Sequence, residues 1–183
     1  MSPSISFTLL LVDGYNIIGL WSELRAVRDR YGLEPARREL LERLVGYSAF
    51  HNLDTRVVFD SQYRNSRGNC ETIVPNLQAV YTDFGQTADT YIEKTCAVFN
   101  REEKHRKSRT IVATSDRAQQ LTVMGYGAEC MSAQQLASDV EGTANRVRRR
   151  QKNASARSQG RFLSNSLDPD ARQRLAKLRM GLG

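Results

Sequence analysis

Short apolar runs that end in a carboxylate recur along the first two thirds of the chain. Residues 9–12 are Leu-Leu-Leu-Val and lead directly into Asp13 and Gly14, and a second run over residues 55–59 ends at Asp60. Continuous apolar runs bounded by turn residues are typical of strands that are buried on both faces of a parallel sheet. Further runs predict strands over residues 77–82, 110–114 and 127–131.

Segments with the apolar spacing of helices lie between these strands. In the segment 34–51, Leu40, Leu41 and Leu44 recur on one face, and charged residues such as Arg37 are expected on the opposite face. Other helices are expected over residues 21–30, 87–101, 117–124 and 132–150. Because strand and helix alternate from residue 7 to residue 150, the sequence predicts an α/β fold, a three-layer sandwich around a mainly parallel sheet.

Charge divides the chain unevenly. Residues 1–141 hold 16 Lys and Arg against 18 Asp and Glu, a net charge of −2, whereas residues 142–183 hold 11 against 2, a net charge of +9. A basic tail on a nearly neutral body suggests a polyanionic partner, most often nucleic acid, with a merely solvated tail as the alternative. We predict a domain over residues 1–152 and a basic extension over residues 153–183. The extension would consist of a linker over residues 153–166 and a short C-terminal helix.

The composition argues against several other classes of protein. No run approaches the roughly 18 to 20 apolar residues of a membrane span, and the N-terminal run lacks the features of a secretory signal. Cys70, Cys96 and Cys130 are widely spaced and form no metal-type pair, so each is expected to be a small buried side chain. These features predict a reducing location, the cytoplasm or an equivalent such as an organelle stroma.

Acidic residues are expected to gather at one edge of the sheet. Asp13 and Asp60 end strands, Asp116 follows the strand over residues 110–114, and Asp89 lies in the first turn of a helix. Since all parallel strands end at the same edge, these four carboxylates should lie close together. Clustered carboxylates repel one another unless they hold cations, and oxygen ligands favour Mg²⁺ or Mn²⁺ over zinc. The matching chemistry is metal-dependent hydrolysis of phosphodiester bonds.

Other polar residues could support such a site. Glu93 lies one helical turn after Asp89, and Ser115 could hydrogen-bond a phosphate or a metal-bound water, although helix capping explains this serine equally well. The polar segment 61–70 is expected to form a long loop at the same edge, where loops are often functional. The candidate RNA-binding residues are Arg64 and Arg67 in this loop and Arg146, Arg148, Arg149 and Arg150 near the end of the last body helix.

Taken in order, the motifs resemble those of the YacP-like NYN domains, relatives of the PIN-domain ribonucleases. They are D-G-Y-N at 13–16, V-V-F-D at 57–60, T-A-D-x-x-I-E at 87–93, T-S-D at 114–116 and L-D-P-D-A-R-x-x-L at 167–175. The resemblance implies a PIN-like fold, a divalent metal, endoribonuclease activity and, for some relatives, association with ribosomes. It also implies that Asp13, Asp89 and Asp116 are catalytic and bind the metal. Asn16 would orient the site, and Asp60 and Glu93 would be less central members.

Other α/β classes with acidic residues at strand ends fit these residues less well. A phosphoacceptor receiver domain needs a second acid beside the first, but Val12 and Gly14 flank Asp13. A haloacid-dehalogenase-type phosphatase needs an acid two residues after its nucleophile, where this chain has Tyr15, and no glycine-rich or Walker loop supports a nucleotide site. The serious alternative is a non-catalytic module of the same fold that binds RNA or the ribosome. In both remaining cases the expected partner is RNA, either mRNA or rRNA.

Overall fold

The computed structural model describes residues 8–60, 68–102 and 108–166. The strands are β1 (Thr8–Asp13), β2 (Leu53–Phe59), β3 (Asn69–Val74), β4 (Leu77–Tyr81), β5 (Arg109–Ala113) and β6 (Glu129–Met131). The helices are α1 (Gly14–Leu20), α2 (Ser22–Tyr31), α3 (Leu33–His51), α4 (Ala88–Glu102), α5 (Arg117–Gly125) and α6 (Ala133–Ser166).

The strands form one sheet in the order β3-β4-β2-β1-β5-β6. All neighbouring strands in it are parallel except β3, which pairs antiparallel with β4 at the edge. β1 lies between β2 and β5, with Val12 in register with Val57 on one side and Ala113 on the other. The mainly parallel sheet predicted from the apolar runs is therefore confirmed.

Helices cover both faces of the sheet because successive side chains of β1 point to opposite sides. Leu10 and Val12 pack in a core with residues of α1, α2, α3 and the first turns of α6, and Leu9 and Leu11 pack in a second core with α4 and α5. All four side chains are fully buried, and each such burial stabilises the fold by about 2 kcal/mol. The predicted three-layer arrangement is confirmed.

Three elements differ from the sequence-based prediction. Helix α1 starts directly after β1, where only a turn was expected. Strand β3 occupies the end of the predicted loop and continues to Val74, and its first four residues are exposed, so they carry no apolar pattern. The linker predicted over residues 153–166 is wrong, because α6 continues to Ser166, where helix-favouring residues such as Ala154, Ala156 and Leu163 alternate with the Ser and Asn that suggested a linker.

The chain divides into two compact units, Met1–Thr143 and Ala144–Gly183. The second unit contains the later turns of α6, and the predicted helix that starts at residue 167 lies outside the described residues. The division into a domain and a basic extension at residue 153 therefore stays a prediction.

Among the described helices, none combines the length and the apolar character that crossing a membrane requires.

The three cysteines are free thiols with different surroundings. Cys96 is buried in α4 and Cys130 is partly buried in β6, as expected for small core side chains. Cys70 is exposed on the edge strand β3, so the expectation of burial is wrong for this residue.

Candidate active site

Asp13 is the buried carboxylate at the centre of the acidic edge. It ends β1 and caps α1, since its Oδ1 atom accepts a hydrogen bond from the main-chain N–H of Asn16 at 3.3 Å. The side chain is only 9% exposed. Its pKa is raised to about 6: burial raises it most, the Asn16 N–H lowers it, and the charges of Asp89, Asp116 and Asp60 raise it. The four carboxylates therefore act on one another, and the ionised form of Asp13 is disfavoured in the fold.

Asp89 lies in the first turn of α4, and Thr87 caps this helix. The Oγ1 atom of Thr87 accepts from the N–H of Thr90 at 3.2 Å, so Asp89 is not needed to start the helix. Partial burial raises the pKa of Asp89, and the charges of Asp116 and Asp60 raise it as well. Since the charges of Asp116 and Asp60 raise the pKa of both Asp13 and Asp89, the two carboxylates belong to the same cluster.

Asp116 caps α5 in the same way as Asp13 caps α1. Its Oδ1 atom accepts from the N–H of Gln119 at 3.0 Å, and its own N–H donates to Oγ1 of Thr114 at 3.1 Å. The side chain of Gln119 then reaches across to α4, where its Nε2 atom donates to Oδ1 of Asp89 at 2.6 Å. Gln119 therefore contacts two of the three carboxylates proposed to bind metal, and it lowers the pKa of Asp89.

Asn16 joins the ends of two neighbouring strands. Its Oδ1 atom accepts from the N–H of Ser115 at 2.9 Å, which ties the β1–α1 junction to the residues after β5. The hydroxyl of Ser115 accepts in turn from the N–H of Ala133 at the start of α6, at 2.9 Å. Both side chains thus hold the backbone around the carboxylates, and the orienting role implied for Asn16 stays a prediction.

Gly14 is required by close packing beneath the site. A Cβ atom at this position would lie 2.3 Å from Cε1 of Phe59, which is far inside van der Waals contact. The next residue, Tyr15, packs its ring against Phe59 with the centroids 5.4 Å apart. Its hydroxyl accepts from Nη1 of Arg37 at 2.7 Å. The Asp-Gly-Tyr-Asn motif is therefore fixed on all sides by packing and hydrogen bonds.

Two residues at this edge were missed or misplaced by sequence reasoning. Arg37 was expected on the polar face of α3 but is only 6% exposed, and it pairs with Glu34 as well as with Tyr15. Gln119 gave a usable signal, because Asp followed by Gln three residues later is the spacing of a capping box. Its contact with Asp89, however, joins residues 30 apart in the chain and has no local signature.

The remaining candidates lie elsewhere or outside the described residues. Glu93, one turn further along α4, acts on Cys96, whose pKa is raised to about 12 by burial first and then by the charges of Cys130 and Glu93. Arg64 and Arg67 fall outside the described residues. The α6 arginines, all exposed on that helix, are Arg146, Arg148, Arg149 and Arg150.

The donor atoms at the acidic edge suit a hard divalent cation. Among the described residues, no three His, Cys, Asp or Glu side chains form a ready-made metal site. The cluster nevertheless offers oxygen donors without thiol or imidazole, the set that Mg²⁺ and Mn²⁺ prefer over zinc. Burial raises the pKa of Asp13 and Asp89 most, and a cation would relieve the charge repulsion that adds to it. The residues therefore fit Mg²⁺ or Mn²⁺ by their chemistry.

Comparison with known proteins identifies the family. The family model of the YacP-like NYN domain matches residues 10–180. The chain belongs to this family. This YacP-like NYN domain is 32% identical over 142 residues to the protein YacP of Bacillus subtilis (strain 168), a match that covers 78% of this chain and 80% of that one.

The fold of this YacP-like NYN domain is also found in solved structures. The crystal structure of Rae1 (YacP) from Bacillus subtilis superimposes with a TM-score of 0.67 at 27% identity, covering 94% of this chain and 95% of that chain. The structure of a point mutant of the same protein gives a TM-score of 0.67 at 28% identity, covering 93% and 99%. The family resemblance seen in the motifs is confirmed, and the NYN domain is a nuclease-type fold.

Proposed function

We propose that this YacP-like NYN domain is a divalent-metal-dependent endoribonuclease that hydrolyses phosphodiester bonds in RNA. The observation that carries this proposal is the acidic edge, where burial and, after it, the charges of Asp89, Asp116 and Asp60 raise the pKa of Asp13 to about 6. A fold gains nothing from such repulsion unless a cation binds there. Membership of a family with a nuclease-type fold supports the same reading.

Each residue has a distinct role in the proposed site. Asp13, Asp89 and Asp116 would hold Mg²⁺ or Mn²⁺, which when bound activates a water and stabilises charge on the leaving oxygen. Asp60, at the end of β2, adds negative charge beside them and supports the site. Asn16 keeps the residues after β5 against the β1–α1 junction through its bond to Ser115.

We further propose that the α6 arginines supply affinity for RNA. They are exposed on α6, and arginine contacts with phosphates bind any RNA sequence with strength that falls steeply as salt rises. mRNA and rRNA, on or off the ribosome, are the polyanions such a surface fits. We place the activity in the cytoplasm or a similarly reducing compartment, because the three cysteines are free thiols.

A cleavage assay on defined single-stranded RNAs tests the proposal. The purified full chain should cut RNA with Mn²⁺ or Mg²⁺ and stop when EDTA removes the metal. Asp13→Asn, Asp89→Asn and Asp116→Asn should each abolish cleavage, whereas Asp139→Asn, the same change at an exposed position of α6, should not.

The same assay separates the enzyme from the non-catalytic module. A module that only binds RNA would retain the RNA, show no metal-dependent products, and bind equally well after the three substitutions. Full cleavage activity in all three variants would refute the assignment of the site. Cleavage that persists in EDTA would refute the dependence on metal.

A further inference from the structure

Gln119 occupies an unusual position for a neutral side chain. It is only 3% exposed, yet its two nitrogen atoms donate to two different carboxylates, Nε2 to Asp89 at 2.6 Å and the main-chain N to Asp116 at 3.0 Å. Asp89 is on α4 and Asp116 caps α5, so a single residue of α5 connects both. Because the side chain is buried, its amide cannot turn away without breaking the contact with Asp89.

The second polar atom of the same amide has no partner. Oε1 of Gln119 is buried and accepts no hydrogen bond from the described part of the protein. Leaving a buried acceptor unpaired costs about 1 to 3 kcal/mol, and the great majority of buried polar atoms do have a partner. Oε1 and Nε2 belong to one planar amide, so this acceptor is on the same group that contacts the Asp89 carboxylate. An unpaired acceptor on this group calls for a donor or a cation.

We propose that Gln119 is a positioning residue for the divalent cation. Its N–H holds the Asp89 carboxylate toward the cluster. Binding of the hydrated cation gives Oε1, which water does not reach in the metal-free fold, a hydrogen bond from a metal-bound water. Mg²⁺ and Mn²⁺ sites commonly keep several waters, and the groups that hydrogen-bond such a shell help to set the affinity. This inference rests on the proposed function only in requiring that the acidic edge binds a divalent cation.

Manganese binding, measured without RNA, tests this role apart from catalysis. Isothermal titration of the purified full chain with Mn²⁺ should give a dissociation constant that rises about 10- to 100-fold in Gln119→Met, which keeps the volume but removes the amide. Gln119→Glu keeps an acceptor in the same place and should bind Mn²⁺ more tightly than Gln119→Met.

Gln120→Met is the matched control. Gln120 is the next residue of α5 and also uses its Nε2 atom, but it donates to the main-chain oxygen of Thr114 at 2.8 Å rather than to a carboxylate. A role limited to joining α5 to its neighbours predicts the same weakening of Mn²⁺ binding in both methionine variants. The proposal predicts wild-type binding in Gln120→Met.

Several outcomes would overturn the proposal. These are Mn²⁺ binding by Gln119→Met within twofold of wild type, equal weakening in Gln120→Met, or no Mn²⁺ binding by the wild-type chain. If Gln119→Met does not fold, Gln119→Asn, whose shorter side chain draws the amide back from Asp89, replaces it, and Mn²⁺ binding by this variant within twofold of wild type also refutes the proposal. A wild-type chain that binds Mn²⁺ but never cuts RNA would refute the proposed function and leave the role of Gln119 intact.

Discussion

Asp13→Asn should make the metal-free protein more stable at neutral pH. Asparagine has nearly the same shape as aspartate, and its side-chain oxygen can still accept from the N–H of Asn16, so the cap of α1 is kept. The substitution removes only the charge that burial and the neighbouring carboxylates disfavour. The variant therefore tests the loss of the Asp13 charge without the loss of the N-terminal cap of α1.

The size of the effect follows from the pKa. Asp13 has a pKa raised from 3.8 to about 6, and each tenfold change in proton affinity is worth about 1.4 kcal/mol, so the ionised form costs the fold about 3 kcal/mol. A new buried amide N–H offsets part of this, and we expect a net gain of about 1 to 3 kcal/mol. In a domain of this size, that corresponds to a rise in Tm of roughly 3 to 10 °C.

The sign of the pH dependence is fixed by the raised pKa. Below pH 3.8 the carboxyl is protonated in both the folded and the unfolded chain, so Asp13 and asparagine should be equivalent. Between pH 3.8 and about 6 the unfolded chain releases the proton first, so wild-type stability falls relative to the variant. Above pH 6 the full difference is present.

Thermal melting in EDTA, from pH 4 to pH 8, measures this difference directly, with Asp139→Asn as the control for loss of one negative charge. Adding Mn²⁺ at pH 7.5 should raise the Tm of wild type and leave Asp13→Asn unchanged. An equal gain in Tm at pH 4 and pH 8, or the same gain in the control, would refute the reasoning.

Three further predictions concern the surroundings of the site. Gly14→Ala should lower the free energy of unfolding by about 1 to 3 kcal/mol in urea melts, because its Cβ would overlap Phe59, and adding Phe59→Leu should restore part of the loss. Asn16→Ala should cost about 1 kcal/mol in the same urea melts by leaving Ser115 N–H without its acceptor, and an unchanged free energy of unfolding would contradict this. Replacing the α6 arginines with Gln should weaken RNA binding and flatten its salt dependence in fluorescence anisotropy, and an unchanged salt slope would exclude them as phosphate contacts.

The central strands could be predicted because their signal is local. The run that ends at Asp13 is apolar at every position, which only a strand buried on both faces requires, and its last residue had to lie at the edge where the other strands end. Strand β3 gave no such signal, since an edge strand whose first four residues are all exposed resembles a loop in composition. Helix α1 was missed because Asp13 ends a strand and caps a helix at once, leaving no residues for a connection.

The unexpected contacts of the site depend on residues far apart in the chain. Arg37 stands among charged residues of α3 and looked solvent-exposed, but Tyr15 from the β1–α1 junction bonds its guanidinium, and Tyr81 at the end of β4 lies beneath it at 6.0 Å. The pattern of apolar and charged residues in α3 gives no information about where these two tyrosines lie in the fold. The pairing of Gln119 with Asp89 is hidden from the sequence for the same reason.

The two capping carboxylates have a consequence for how this domain can change during evolution. Asp13 and Asp116 each begin a helix with a carboxylate that we also propose to hold the cation, whereas Thr87 caps α4, so Asp89 has no capping role. A descendant that lost catalysis would still need Asn, Ser, Thr or Asp at positions 13 and 116 to start α1 and α5. Position 89 has no capping role, so almost any residue could replace Asp89 there without loss of the helix. Retained caps at the first two positions with an unrelated residue at the third would therefore be the trace of a nuclease that became a binding protein.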